Sequence, residues 1–116
     1  MISRDIIKSV DAWLDDLVSK WYKDQPLAQD WARVAKVVEE NGEAIQELIL
    51  FTGQNPRKPV EKEARDRMLK ELADTAMTAI LAIQHFTKNI DDTERIMHDS
   101  QSKIWRRVPA TFWSGE

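Results

Sequence analysis

The 116-residue chain is 42% hydrophobic and 32% charged, carries a net charge of −3 and contains no cysteine. That balance fits one globular domain over residues 1–116 and excludes disulfides and thiolate metal sites. It lacks the basic excess that nucleic-acid partners demand, and a chain this short buries only about two-thirds of its unfolded surface, so packing between subunits would enlarge its core.

The start, Met1–Val10, interrupts its apolar residues with Arg4, Asp5 and Lys8, unlike a signal peptide. The longest apolar run, Ala76–Ile83, falls far short of a membrane span. A cytoplasmic protein with no membrane partner is expected.

Hydrophobic spacing predicts helices throughout, with no period-two segment. Ile6, Ile7, Val10, Trp13, Leu14, Leu17, Val18 and Trp21 follow the three-and-four rhythm of one helical face. Ser3 is placed to cap that helix. A second helix is expected from about Leu27 to Phe51, with Val34, Val38, Ile45, Leu48 and Ile49 as its core stripe. One Gly and two Pro within residues 53–59 then break the pattern. The third helix, roughly Glu61–Thr87, starts amphipathic and turns apolar on nearly every side from Thr75 to Ile83. Asn89 marks its stop, and Asp91 or Asp92 caps a fourth helix ending near Val108. Phe112 and Trp113 in the tail are expected to pack on a neighbouring subunit. The fold class is all-α, a small four-helix bundle.

The carboxylates stand out against this frame. On the second helix, Glu40, Glu43 and Glu47 fall within one narrow sector, with Lys36 beside them and Glu39 at its edge. An acidic stripe alone is common on a solvated face. The third helix adds Glu71 and Asp74 at i and i+3, where it becomes almost uniformly apolar. Charge beside a buried segment is costly unless it is paired or binds a metal. Arg67 and Lys70 offer pairing as one solution. The other is a four-carboxylate cage of Glu40, Glu43, Glu71 and Asp74 between antiparallel helices, whose all-oxygen ligands favour Mg²⁺ or Mn²⁺. Gly42 interrupts the second helix at a cost of about 1 kcal/mol, which close approach of a helix or a ligand would justify.

Glu39-Glu40-x-x-Glu43 and Glu71-x-x-Asp74, separated by residues 44–70, resemble the signature of the MazG-like, all-α nucleoside triphosphate pyrophosphohydrolases. The resemblance covers roughly Trp31 to Phe86. It implies Mg²⁺ held by Glu40, Glu43, Glu71 and Asp74 against a nucleoside triphosphate substrate, with Mn²⁺ as a possible substitute. It implies water attack on the α-phosphorus, releasing pyrophosphate and a nucleoside monophosphate. Glu39, or Glu47, would orient or deprotonate that water, or complete a second metal site. The family also implies a homodimer or homotetramer.

Substrate contacts are assigned more broadly. Lys36 is a phosphate contact or an ion-pair partner of Glu40. Trp31 stacks on a base or lies in the core. Arg67 belongs to a basic group at the start of the third helix, and Thr78 lines the pocket or bonds to backbone. Relatives carry an Asn followed by a Lys in the last helix; residues 98–107 have no Asn, leaving Lys103, Arg106 or Arg107 for the phosphates. A di-iron bundle is disfavoured because neither His85 nor His98 has a Glu three residues before it. The alternative from a different class is a non-enzymatic helical oligomerisation or adaptor protein.

Overall fold

The computed structural model describes residues 2–21, 23 and 25–113. Its elements are α1 (Arg4–Ser19), α2 (Pro26–Thr52), α3 (Ala64–Thr87), α4 (Ile90–Trp105) and a 3₁₀ turn at Ala110–Phe112. No strand occurs among the described residues, so the chain is all-α. Among the described residues no helix is long and apolar enough to cross a membrane.

Local chemistry sets each boundary. The Ile6 N–H donates to Ser3 Oγ at 3.4 Å, capping α1. Pro26 opens α2, where its missing N–H is no loss. Gly53 closes α2 with φ of 72°, its N–H donating to the Ile49 carbonyl at 3.1 Å. A Cβ there would sit 2.8 Å from Val60 Cγ2, so the position needs glycine on both counts.

At the far end of α3 the stop is Lys88, in the left-handed conformation at φ 53°. Asn89 is the cap of α4 rather than Asp91 or Asp92: its Oδ1 accepts from the N–H of both, at 2.9 and 3.1 Å. The two aspartates instead occupy the first turn of α4, where negative charge suits the helix dipole. α4 ends at Trp105, short of Val108. Trp113 stacks on Trp105 of its own chain with ring centroids 5.6 Å apart, and both residues stay exposed.

The α2–α3 hairpin is the dominant contact of the structure. Its pairing runs antiparallel, from the Glu61 N–H on the Leu50 carbonyl to Asp30 beside His85. The residues that α2 turns inward follow a 3-4 rhythm: Arg33, Val37, Glu40, Ala44, Glu47 and Phe51, all buried or half-buried. α3 answers with Ala64, Met68, Glu71, Thr75, Thr78, Ala82 and His85 at the same rhythm. This is the spacing of a coiled-coil seam.

That seam corrects the expected core stripe of α2. Val34, Val38, Ile45 and Leu48 are exposed, and only Ile49 is half-buried. The inward face is the one carrying three charged residues. α1 contributes Ile7 and Asp11 to the interior, with Val10, Leu14 and Val18 half-buried; Ile6, Trp13, Leu17 and Trp21 stay exposed. α1 packs on α3, α2 and α4, and α4 packs on α3 and α1, leaving α2 untouched by α4 among the described residues. The result is an open, flat arrangement of 46 × 46 × 21 Å with a radius of gyration of 17.9 Å.

Candidate metal centre

The two motif helices bring Glu40, Glu43 and Glu71 together, with one carboxylate oxygen from each inside a common distance of 4.8 Å. Glu40 and Glu71 are seam residues of facing helices, and Glu43 lies one turn from Glu40 on the same side of α2. Three like charges at this spacing destabilise the site unless protons or cations intervene. Burial pushes the Glu71 carboxyl up to about 7, and its bonds to Glu43 and Glu40 and their negative charge push the same way. Glu71 Oε2 is buried and has no hydrogen-bond partner. An acceptor left unsatisfied inside a ring of acceptors is a cation-ready arrangement.

Asp74 is exposed and lies outside this group of three. Its position, one turn along α3 from Glu71, leaves its side chain on the solvent side of the hairpin edge. Glu39 is also exposed. Lys36 Nζ sits 3.3 Å from both Glu39 and Glu40. The bond to Glu40, then that to Glu39, raises the Lys36 ammonium above its ordinary value. The ion-pair role of Lys36 is thereby present in the chain.

Glu47 is held by Arg67 Nε at 2.8 Å, and the other side of that guanidinium bonds Glu61 at 2.6 Å. Arg67 is therefore committed to carboxylates of its own chain. Thr78 Oγ1 donates to the Thr75 carbonyl at 2.9 Å, the backbone bond foreseen for a half-buried threonine. Trp31 is not a core residue: at 77% exposure it borders a shallow hollow of about 240 Å³ with Asp30, Val34 and Phe86. Lys103 is exposed on α4, the helix that does not reach α2.

A second polar cluster escaped the sequence reading. Buried Arg33 bonds Asp11 Oδ1 at 2.7 Å and Asp15 Oδ1 at 3.1 Å, and Lys88 Nζ bonds Asp11 Oδ2 at 2.9 Å and also reaches Asp15. The His85 ring nitrogens face Asp15 at 3.2 Å and Asp30 at 2.7 Å. Burial raises the Asp15 carboxyl, but the bonds from Lys88 and Arg33 outweigh it and hold Asp15 below its ordinary value. Asp11, Asp15 and His85 also bring ligand atoms within 4.8 Å of one another. Here two protein cations already neutralise the carboxylates, so the cluster ties α1 to the hairpin. Its signal was present in the chain: Asp11 interrupts the Ile7, Leu14, Val18 rhythm of α1, and Arg33 interrupts that of α2.

The two clusters thus contrast in their charge balance. The Asp11–His85 group is matched by cations, whereas the Glu40–Glu43–Glu71 group has, among the described residues, only Lys36 bonded at its rim. Comparison with family models, with curated proteins and with solved structures finds no match. The functional reading therefore rests on the site itself.

Proposed function

We propose that the chain hydrolyses nucleoside triphosphates, deoxynucleotides or non-standard nucleotides among them, to a monophosphate and pyrophosphate in a Mg²⁺-dependent reaction. The observation that carries this reading is the packing of Glu40, Glu43 and Glu71 at the hairpin seam with a buried, unpartnered Glu71 oxygen. Structural acids are normally paired with cations, as Asp11 and Asp15 are. A carboxylate trio at a seam position, bonded among the described residues by Lys36 at Glu40 alone, sacrifices stability and calls for a further cation.

In this reading Glu40, Glu43 and Glu71 hold the metal. Asp74 is a neighbouring carboxylate, exposed one turn along α3 from Glu71. Mg²⁺ at this site, or Mn²⁺ in its place, supplies charge neutralisation on the triphosphate and a water made acidic enough to react near neutral pH. Glu39, exposed beside Glu40, is available to accept the proton from the attacking water. Lys36, once Glu40 turns to the metal, loses one of its two carboxylate partners and is assigned to phosphate. Trp31 offers an exposed aromatic face to a base. Lys103 lies exposed on α4, which does not touch α2 among the described residues.

Assembly into a dimer or tetramer is part of the proposal, because five buried apolar residues (Ile7, Ala44, Ala64, Ile80 and Ala82) form a small core among the described residues. The exposed apolar surface also supports a second reading, a helical assembly protein without chemistry. Metal titration separates the two. The enzyme reading expects Mg²⁺ to raise the melting temperature of the wild type and not of Glu43→Ala. A wild type indifferent to Mg²⁺ and Mn²⁺, and releasing no pyrophosphate, would leave the assembly reading.

A further inference from the structure

We infer that the end of α4 and the turn after it form a peripheral docking surface for an anionic lipid bilayer. Residues 100–113 contain Lys103, Arg106 and Arg107 and no Asp or Glu, in a chain whose net charge is −3. All three cations are exposed. Carboxylates hold Arg4, Arg33, Arg67 and Lys88, but none of these three among the described residues. At about 100° per residue Lys103, Arg106 and Arg107 share one side. Gln101, Ile104, Trp105 and Val108 follow the i, i+3, i+4, i+7 rhythm of the opposite side. The backbone carries that rhythm past Trp105, since the Arg107 and Val108 N–H groups donate to the Ile104 and Trp105 carbonyls, each at 3.0 Å. An open hollow of about 500 Å³ is lined by Ile104, Trp105 and Val108 together with His98, Gln101 and Ser102.

The chain then folds back and enlarges the apolar side. The Phe112 N–H donates to the Pro109 carbonyl at 2.9 Å and that of Trp113 to Ala110 at 3.0 Å. This turn lays Trp113 on Trp105, yet Ile104, Trp105, Phe112 and Trp113 remain between 50% and 75% exposed. Trp113 Nε1 donates to the Val108 carbonyl at 3.2 Å. The indole can therefore leave water without stranding its donor or that acceptor. Rings fixed in advance also lose little freedom on docking. Aromatic and aliphatic side chains on one side with Lys and Arg on the other make up an interfacial anchor, and Trp favours the headgroup level.

The place of this surface separates it from the carboxylates. α4 does not touch α2 among the described residues, so its cations stand apart from Glu40 and Glu43 and are available to lipid phosphates. Ile104 and Val108 gain from an apolar phase and offer no ring to a base, which favours lipid over single-stranded nucleic acid. The expected lack of a membrane partner concerned a spanning segment; attachment to a bilayer surface needs none. The inference does not depend on the carboxylates binding metal, and its test reads binding rather than activity.

Co-sedimentation of the full chain with lipid vesicles provides that test. Affinity for vesicles rich in phosphatidylserine should exceed that for pure phosphatidylcholine about a hundredfold, each cation supplying roughly a factor of five. The preference should collapse in about 0.5 M salt. Arg106→Glu with Arg107→Glu should remove the preference, and Phe112→Ser with Trp113→Ser should weaken binding to both vesicle types. Lys58→Glu with Lys62→Glu makes the same charge change on exposed residues between α2 and α3, and should leave binding intact. A wild type that ignores phosphatidylserine vesicles, or binds both types equally, overturns the inference. So does a loss in the Lys58/Lys62 variant matching that in the Arg106/Arg107 variant. Tighter binding of a single-stranded oligonucleotide than of phosphatidylserine vesicles at one ionic strength would assign the surface to nucleic acid and overturn it equally.

Discussion

Neutralising Glu71 as Glu71→Gln tests the site through proton linkage, without assuming any substrate. Burial, with Glu43 and Glu40 alongside, pushes the Glu71 carboxyl up to about 7 in the folded chain, against an ordinary value of 4.5. Below 4.5 both folded and unfolded states hold the proton. Between 4.5 and about 7 the folded state holds more, so stability falls as pH rises through that window and stays reduced above it. Metal-free wild type should therefore melt at a higher temperature at pH 5 than at pH 8, and Glu71→Gln should lose this component. Mg²⁺ requires the ionised carboxylate, so binding displaces the proton. At pH 6 about nine-tenths of the sites still hold it, which weakens apparent Mg²⁺ affinity about tenfold relative to pH 8. Calorimetric titrations at both pH values, beside melts in a chelator, measure the two effects. Identical pH profiles for wild type and Glu71→Gln, with pH-independent Mg²⁺ binding, would refute the reasoning.

Other parts of the structure give further expectations. Gly53→Ala forces a side chain onto a backbone at φ 72° and against Val60, and should cost about 1–2 kcal/mol in denaturant unfolding; an unchanged midpoint would contradict that geometry. Asn89→Ala removes the acceptor for the Asp91 and Asp92 amides and should cost about 1 kcal/mol, visible as a lower urea midpoint. Arg33→Leu leaves buried Asp11 with Lys88, and half-buried Asp15 with Lys88, His85 and Gln29, as remaining partners, and should cost about 3 kcal/mol. A loss within error of zero there would mean the network is not holding α1 to the hairpin.

Helices, breaks and the two carboxylate pairs were legible because each depends on local spacing. Ser3 before α1 and the glycine and prolines after α2 are signals of that kind. The orientation of α2 was not. It carries two strips at the same 3-4 rhythm, and the apolar strip of Val34, Val38, Ile45 and Leu48 invites placement in the core. The hairpin instead buries the strip with Arg33, Glu40 and Glu47. Hydrophobicity alone points to the wrong side when a helix buries its polar strip and leaves its apolar strip exposed, as α2 does. The same geometry separates Asp74 from Glu71: three residues along a helix leave about 60° of rotation, enough to put one carboxylate in the seam and the other in water. Lys88 in the left-handed conformation could not be read from its type, since lysine has no preference for it. The Asp11–Arg33–His85 network depends on three helices meeting, although the polar interruptions in two apolar rhythms were visible.

The central claim is the chemistry at Glu40, Glu43 and Glu71. Its most direct test is incubation of the wild type with a nucleoside triphosphate panel and Mg²⁺ in heavy-oxygen water, with the products resolved by phosphorus NMR and mass. The account predicts equal amounts of monophosphate and pyrophosphate, with the heavy oxygen on the monophosphate, and loss of at least about a hundredfold in rate (roughly 2.7 kcal/mol) in Glu43→Ala. No product from any nucleotide, or product formed equally well by Glu43→Ala or in a chelator, would contradict it.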